Sequence, residues 1–454
     1  MAPRSRKTLD MTQGPILKQV VLFSLPLMLG NVFQMLYNTV DSIVVGNFVG
    51  KEALAAVGAT TMIVNMLVFF FNGFSVGAGV VIAHHFGARD AQRLHTAVET
   101  TMAMAFILCG VFTALGLALA RPMLKLMSTP ADVLDDSVTY LSIYFMGFSG
   151  LLIYNIGSGI LRAVGDTTRP LLFLILTSLM NIALDLLFVI GFKAGIAGVA
   201  WATILSQFVS AGLTLRLLTH TDAIYRLVWR DLSLDGPVLR RIFSVGLPAG
   251  FQSVVTSLSN IFVQSYINFF GSSCMAGWSC YNKLNQFIML AIQSTSLAAT
   301  TFVSQNIGAK QTERARRGAR VTILLSLAIT GVLAALIVGF APFTLRLFTR
   351  DASVIDYGVL FLRTNTLFLL FNCVNHTLAG ALRGMGDARG PMVIMLASFV
   401  GIRQIYLFIL TRFISNTPRW VGFGYPVGWM CCFVIELIYY FVRHGRKEAA
   451  DSSQ

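Results

Sequence analysis

The chain has 454 residues, of which 56% are hydrophobic and only 12% charged, with a formal net charge of +14. Mean hydropathy is +0.72. These values exclude an ordinary soluble domain and indicate a polytopic membrane protein. On that reading the excess positive charge belongs to membrane-flanking loops, and nucleic acid is not expected as a partner.

The N-terminus, MAPRSRKTLDMTQG, is basic and polar, with no apolar h-region followed by a small-residue cleavage site. No cleaved signal peptide is expected. Twelve spans are predicted near 16–46, 53–83, 94–119, 133–160, 170–191 and 195–218, then 238–268, 275–304, 315–341, 354–381, 391–414 and 420–442. Lys and Arg concentrate in the loops that share a side with the two tails. Both termini are therefore predicted to be cytoplasmic, in a multi-pass protein of the cell inner (plasma) membrane.

The first span sets the functional question. Asn31, Gln34, Asn38 and Asp41 recur at steps of three, four and three, which places them on one helical face with Tyr37 alongside. An aspartate at the centre of a membrane helix costs roughly 2.5–3.5 kcal/mol on insertion scales. Such a residue is tolerated when it faces a bundle interior or a watered cavity. Pro26, upstream in the same span, removes a backbone hydrogen bond and loosens the helix.

The third span opens after HHFGARDAQR, and Glu99 lies near its polar end. The fifth holds Asn181 and Asp185, four residues apart and so on one face. With Asp41 they make an oxygen-rich cluster suited to H⁺ or Na⁺, and they are the expected cation-coupling residues. A purely structural role, as polar glue between the first and fifth helices, is the competing reading. After the sixth span comes the most polar interior segment, Thr219 to Arg241, read as the linker between two lobes.

Beyond the linker the chain repeats itself. Gly87-Ala88-Arg89 is echoed by Gly308-Ala309-Lys310, and Leu161-Arg162-Ala163-Val164-Gly165-Asp166 by Leu382-Arg383-Gly384-Met385-Gly386-Asp387, both at an offset of 221. Pro391 falls under Pro170, and Phe23-Ser24-Leu25-Pro26 is matched by Phe243-Ser244-Val245-Gly246-Leu247-Pro248. Each repeat holds six spans, an even number, so both copies insert with the same orientation. The expected fold is an all-α polytopic membrane protein with two six-helix lobes related by a pseudo-two-fold axis along the membrane normal. The expected divisions are a cytoplasmic tail at 1–14, an N-lobe at 15–218, a cytoplasmic linker at 219–237, a C-lobe at 238–443 and a cytoplasmic tail at 444–454. In the two LRxxGD loops, Gly165 and Gly386 permit a turn, and Asp166 and Asp387 can cap the helix that follows.

Two six-span lobes, the Pro26…Asp41 first helix, the paired LRxxGD loops and the stretch Asn181-Ile182-Ala183-Leu184-Asp185 resemble the multidrug and toxic compound extrusion (MATE) family, over about residues 14–443. The resemblance implies a cation-coupled secondary antiporter that exports amphipathic, mostly cationic drugs by alternating access. It also matches Asp41, Asn181 and Asp185 to the family's first-lobe cation site. The chain departs from the branch that carries second-lobe acids: its seventh span offers Gln252, Thr256, Asn260 and Gln264, and its tenth offers Asn372, Asn375 and His376.

Neutral amides outnumber carboxylates here, which favours H⁺ over Na⁺. No resident cofactor or metal is expected, although Na⁺ at Asp41, Asn181 and Asp185 is the alternative coupling ion. Expected substrate-wall residues are Asn31, Gln34, Tyr37, Asn38 and Asn155 in the first lobe and Gln252, Thr256, Asn282 and Gln286 in the second. Pro26 and Pro248 are the expected hinges. Lys283, Arg363 and Arg403 all fall within second-lobe spans. Arg403 is expected to form a buried ion pair with Glu436, and Lys283 to snorkel. The rival reading puts an anionic or zwitterionic substrate group against these bases, as in a flippase for a lipid-linked precursor. The cysteines form no CxxC pair and read as packing residues. No P-loop, HExxH or GxSxG element is present, so no enzyme activity is expected. Partners are small molecules and the bilayer, and a monomer is expected.

Overall fold

The computed structural model describes residues 9–451; of the side chains of Lys51, Glu52, Leu54 and residues 444–451 nothing is said. No strand occurs among the described residues. The principal helices are α1 (Ile16–Val44), α2 (Lys51–Gly87), α3 (Ala91–Leu126), α4 (Ala131–Met146), α5 (Phe148–Ala163), α6 (Thr168–Leu186), α7 (Gly195–Thr219), α8 (Gly236–Asn268), α9 (Ser272–Gly308) and α10 (Thr312–Gly339). They continue through α11 (Ala341–Arg346), α12 (Ala352–Asn365), α13 (Leu369–Gly384), α14 (Arg389–Leu396), α15 (Arg403–Ile409), α16 (Pro418–Gly422) and α17 (Gly424–Asp451).

Among the described residues eleven helices are long and apolar enough to cross a membrane, or twelve when α4 and α5, bent by 47° at Gly147, count as one span. The fourth predicted span is that bent pair. Among the described residues there are four π-helical turns: Ala397–Ile402 joins α14 to α15, and Val45–Val49, Leu187–Gly191 and Leu410–Ile414 close α1, α6 and α15.

The chain divides into two compact units. Unit 1 comprises Met1–Gln13, Leu25–Gly250 and Gly308–Lys310; unit 2 comprises Gly14–Ser24, Phe251–Ile307 and Gln311–Gln454. One change of unit falls between Ser24 and Leu25, beside Pro26, and another between Gly250 and Phe251, beside Pro248. Both prolines lie inside continuous helices.

Each unit is built to the same local plan. In unit 1 the Arg162 guanidinium donates to Ser75 Oγ at 3.2 Å, while that hydroxyl donates to the Asn155 carbonyl at 2.9 Å. In unit 2, at an offset of 221 throughout, Arg383 donates to Ser296 Oγ at 3.3 Å and Ser296 donates to the His376 carbonyl at 2.5 Å. The LRxxGD aspartates cap as expected: Asp166 Oδ1 accepts from Arg169 N and Asp387 Oδ1 from Gly390 N, both at 3.1 Å. Gly165 and Gly386 have φ of +85° and +88°, a left-handed conformation that side chains resist. The same region is occupied without glycine by Arg89 and Lys310, at φ 56° and 59°, in the paired GAR and GAK turns. Two stretches of one chain would not share such detail unless one structural unit had been duplicated.

Within unit 1, α2 and the first half of α8 touch backbone to backbone. A methyl group added at Gly73 would stand 2.3 Å from Gly250 N, and one at Gly77 would stand 2.5 Å from the Ile242 carbonyl. Small residues let helices approach this closely and gain dispersion energy where lipid gives no hydrophobic drive. The repeat-related positions hold Ser24, Met28, Ser294 and Ala298, so the glycine contact belongs to one copy only.

Candidate functional site: a paired carboxylate in unit 1

The polar face of α1 and the buried face of α6 supply the site. Asp185 and Asn181 are 0% and 2% exposed, one turn apart on α6, and Asp41 on α1 is half-buried. The carboxyl groups of Asp41 and Asp185 interact directly. Unless a proton joins the two acids, both carboxylate oxygens of Asp185, Asp41 Oδ1, and the amide nitrogen and oxygen of Asn181 have no hydrogen-bond partner among the described residues. Buried polar groups are ordinarily satisfied, and an orphan costs about 1–3 kcal/mol. Five such atoms are gathered here, one on α1 and four on α6.

Two tyrosines flank this pair, with two more nearby, and the sequence points to Tyr37 alone among them. Tyr37, on α1, is half-buried, and Tyr140 and Tyr144 on α4 are each 6% exposed. Tyr37 and Tyr140 lie within electrostatic range of both aspartates. The Tyr140 and Tyr144 rings stack at 6.5 Å, and Tyr154 on α5 donates to the Pro170 carbonyl at 3.1 Å. The available signal was the four-residue spacing of Tyr140 and Tyr144, which was read only as part of a span.

The other predicted residues fare variously. Gln34 and Asn38 are exposed, and Asn31 is half-buried. The Asn155 amide turns back to the Leu151 carbonyl of its own helix at 2.9 Å. In unit 2, Gln252 is 7% exposed with its amide against Met395 Sδ, Thr256 and Asn282 are half-buried, and Gln286 is exposed. Lys283 and Arg363 are also exposed, Lys283 Nζ standing 5.7 Å from the centroid of the Phe348 ring.

The expected ion pair between Arg403 and Glu436 is not formed. Arg403, 2% exposed, donates to Ser259 Oγ at 2.6 Å and lies over the Tyr425 ring at 4.7 Å. The cation within electrostatic range of Glu436 is Arg383. Sharing the last two spans did not suffice, because a hydroxyl and an aromatic face on α8 and α17 already hold the guanidinium.

A sequence model of the MatE family matches residues 26–187 and again 248–409. The chain belongs to the MatE family. The two matches coincide with the internal repeat. Among curated MatE relatives, "Probable multidrug resistance protein YoeA" of Bacillus subtilis is 30% identical over 431 residues, covering 93% of each chain. "Probable multidrug resistance protein YpnP" of the same organism is 29% identical over 98% of each. Among solved structures, an outward-facing multidrug resistance MATE transporter of the MOP superfamily superposes with a TM-score of 0.92, at 24% identity, covering 98% of this chain and all of that one. A MOP superfamily transporter from Pyrococcus furiosus, described as having a binding pocket of reverse polarity, gives 0.90 at the same identity over 97% and 98%. The fold is thus that of MATE transporters, and the chain is a membrane-embedded member of a multidrug efflux family.

Proposed function

We propose that this MatE protein is a secondary antiporter that expels amphipathic, mostly cationic organic compounds across the plasma membrane in exchange for a cation, H⁺ rather than Na⁺, by alternating access. The observation that carries this reading is the Asp41–Asp185 pair with Asn181 beside it. Two carboxyl groups held together away from water cannot both carry charge at low cost, so the pair takes up a monovalent cation. Only two carboxylates are present, against the larger oxygen set that a dehydrated Na⁺ favours, and this supports H⁺. Both termini are assigned to the cytoplasm from loop charge, and the transporter is taken as a monomer with lobes at 15–218 and 238–443 joined by the 219–237 linker.

In this mechanism unit 1 offers substrate the polar faces holding Asn31, Gln34, Tyr37, Asn38 and Asn155, and unit 2 offers those holding Gln252, Thr256, Asn282 and Gln286. Cation uptake removes the charge that otherwise demands water beside α6, and α1 then packs against Asn181 and Asp185. Ions shift such an equilibrium only by differential affinity for the two shapes. Cells expressing the protein should accumulate less ethidium than cells carrying the Asp41→Asn variant. Substrate efflux from proteoliposomes should persist in Na⁺-free buffer under a pH gradient; strict dependence on Na⁺ would reverse the choice of ion.

The hinge has its own test. Pro26 leaves the Leu22 carbonyl without its usual amide donor, so α1 bends there at small cost. Pro26→Ala should leave substrate binding intact and slow turnover several-fold. Pro248→Ala should do less, because buried Val263 stands near the position equivalent to Asp41. Equal losses in the two variants would point instead to symmetric rocking.

One observation favours a second reading. Arg403 is buried without the neutralising acid expected for it, and its Nε has no hydrogen-bond partner. A base so placed suits an anionic substrate group, as in a flippase for a lipid-linked precursor. Rescue of envelope synthesis without any change in ethidium accumulation would select that reading.

A further inference from the structure

The segment between α7 and α8 is docked firmly on unit 1. Tyr225 and Leu227 are each 1% exposed in its core, and Leu227 N donates to the Leu218 carbonyl at 2.9 Å. Asp235 N donates to Thr100 Oγ1 of α3 at 3.1 Å. This docking brings the short 3₁₀ turn Trp229–Asp231 against α3, where the Trp229 ring lies 5.9 Å from that of Phe106. Beside it, His95 Nε2 stands 2.6 Å from Glu99 Oε1 and 3.6 Å from Asp231 Oδ2. One ligand atom from each of the three side chains lies within 4.8 Å of the other two.

Two features set this cluster apart from an ordinary surface ion pair. Glu99 is only 4% exposed, and among the described residues no Lys or Arg forms a salt bridge with it or with Asp231. Its Oε1 is met, among the described residues, by the His95 imidazole at 2.6 Å, in a contact that falls short of good hydrogen-bond geometry. A buried carboxylate oxygen and a ring nitrogen are therefore gathered at one point with a second carboxylate and no permanent cation.

We propose that His95, Glu99 and Asp231 bind a divalent transition-metal ion of the zinc type. Imidazole nitrogen with carboxylate oxygen suits Zn²⁺ or Co²⁺, whereas Mg²⁺ and Ca²⁺ prefer oxygen alone. Ligand atoms about 2.0–2.2 Å from one tetrahedral ion stand roughly 3.4 Å apart; the 3.6 Å separation of His95 and Asp231 matches this, and the 2.6 Å contact of His95 with Glu99 has to open for the ion to enter. His95 and Glu99, four apart on α3, form one arm, and Asp231 forms the other. A bound ion would tie the inter-repeat segment to α3 and compensate the buried Glu99 charge, which is otherwise expensive. The fourth position opens past the half-exposed His95 and the exposed Asp231 to solvent.

The test uses the untagged full-length protein in detergent, stripped of metal. Titration with Zn²⁺ by calorimetry, and with Co²⁺ by visible absorption, should show one tight ion per chain and a d–d band typical of low coordination number. Asp231→Asn should weaken binding at least about tenfold, and His95→Gln should abolish the cobalt band. A His84→Ala/His85→Ala control should bind like wild type, since those adjacent rings lie outside the cluster. Size-exclusion profiles establish that each variant is folded. Absence of stoichiometric binding, or wild-type binding by His95→Gln, would overturn the proposal and leave His95 as a simple ion-pair partner of the two acids.

Discussion

Asp41→Asn is expected to reduce uphill export of substrate to the level of empty vesicles while the protein still purifies as a monodisperse species. The amide keeps the shape of the side chain, so α1 and α6 can pack as before; it loses the charge and with it the ability to gain or lose a proton. Asp185 is then left without its acidic partner, fully buried and facing an amide. Downhill exchange of substrate across the membrane should survive, because the substrate wall is untouched. Asp185→Asn should behave alike, and the double variant should be no worse than either single one, since residues acting as a unit are not additive. Uphill export by Asp41→Asn at the wild-type rate would sink the first-lobe coupling mechanism.

Gly73→Ala should give the largest structural effect for a single methyl group. The new carbon would meet the backbone of Gly250 and Gly246 at 2.3–2.5 Å, and backbone cannot rotate out of the way as a side chain can. Overpacking of this kind costs about 1–3 kcal/mol, against a helix-propensity gain of up to about 1 kcal/mol for replacing glycine. Gly110→Ala is the matched control: it sits within α3 with nothing inside 4 Å, so only the gain applies. Thermal midpoints in detergent should therefore move in opposite directions in the two variants. If Gly73→Ala is as stable as Gly110→Ala, the close contact between α2 and α8 does not hold this shape of the molecule together.

Much of the architecture was legible because the bilayer constrains it so strongly. Span lengths, the duplicated LRxxGD loops and the deep Asp41 could be read from the sequence, since each answers a local cost: an unsatisfied backbone group, a turn needing positive φ, a charge in hydrocarbon. Asn181 and Asp185 were legible because a four-residue spacing fixes a shared face. What escaped depended on which helices meet. Nothing in the sequence says that Arg403 finds Ser259 and Tyr425 before Glu436, because side chains on adjacent spans have many depths and rotations at which to miss each other. The tyrosines of α4 escaped for a similar reason: aromatic residues in a span look alike whether they face lipid or a carboxylate. Arg162 and Arg383 were read as letters of a turn motif, and only the fold reveals them as ties between helices.

Two of the π-helical turns lie just beyond the paired acids. One follows Asp41 by four residues at Val45–Val49, and another follows Asp185 by two at Leu187–Gly191. Each of these turns is the last of its helix, ending at Gly50 and Phe192, and its i→i+5 ladder takes the side chains within it out of the 3.6-residue register. Each acid therefore stands at the last place where its own stripe still points the same way. Asn47, inside the first of these turns, folds its amide back to the Ile43 carbonyl at 2.9 Å. The α-helical stripe that carries each polar face is thus kept in register as far as its carboxylate, and the closing turn presents its side chains on a different spacing.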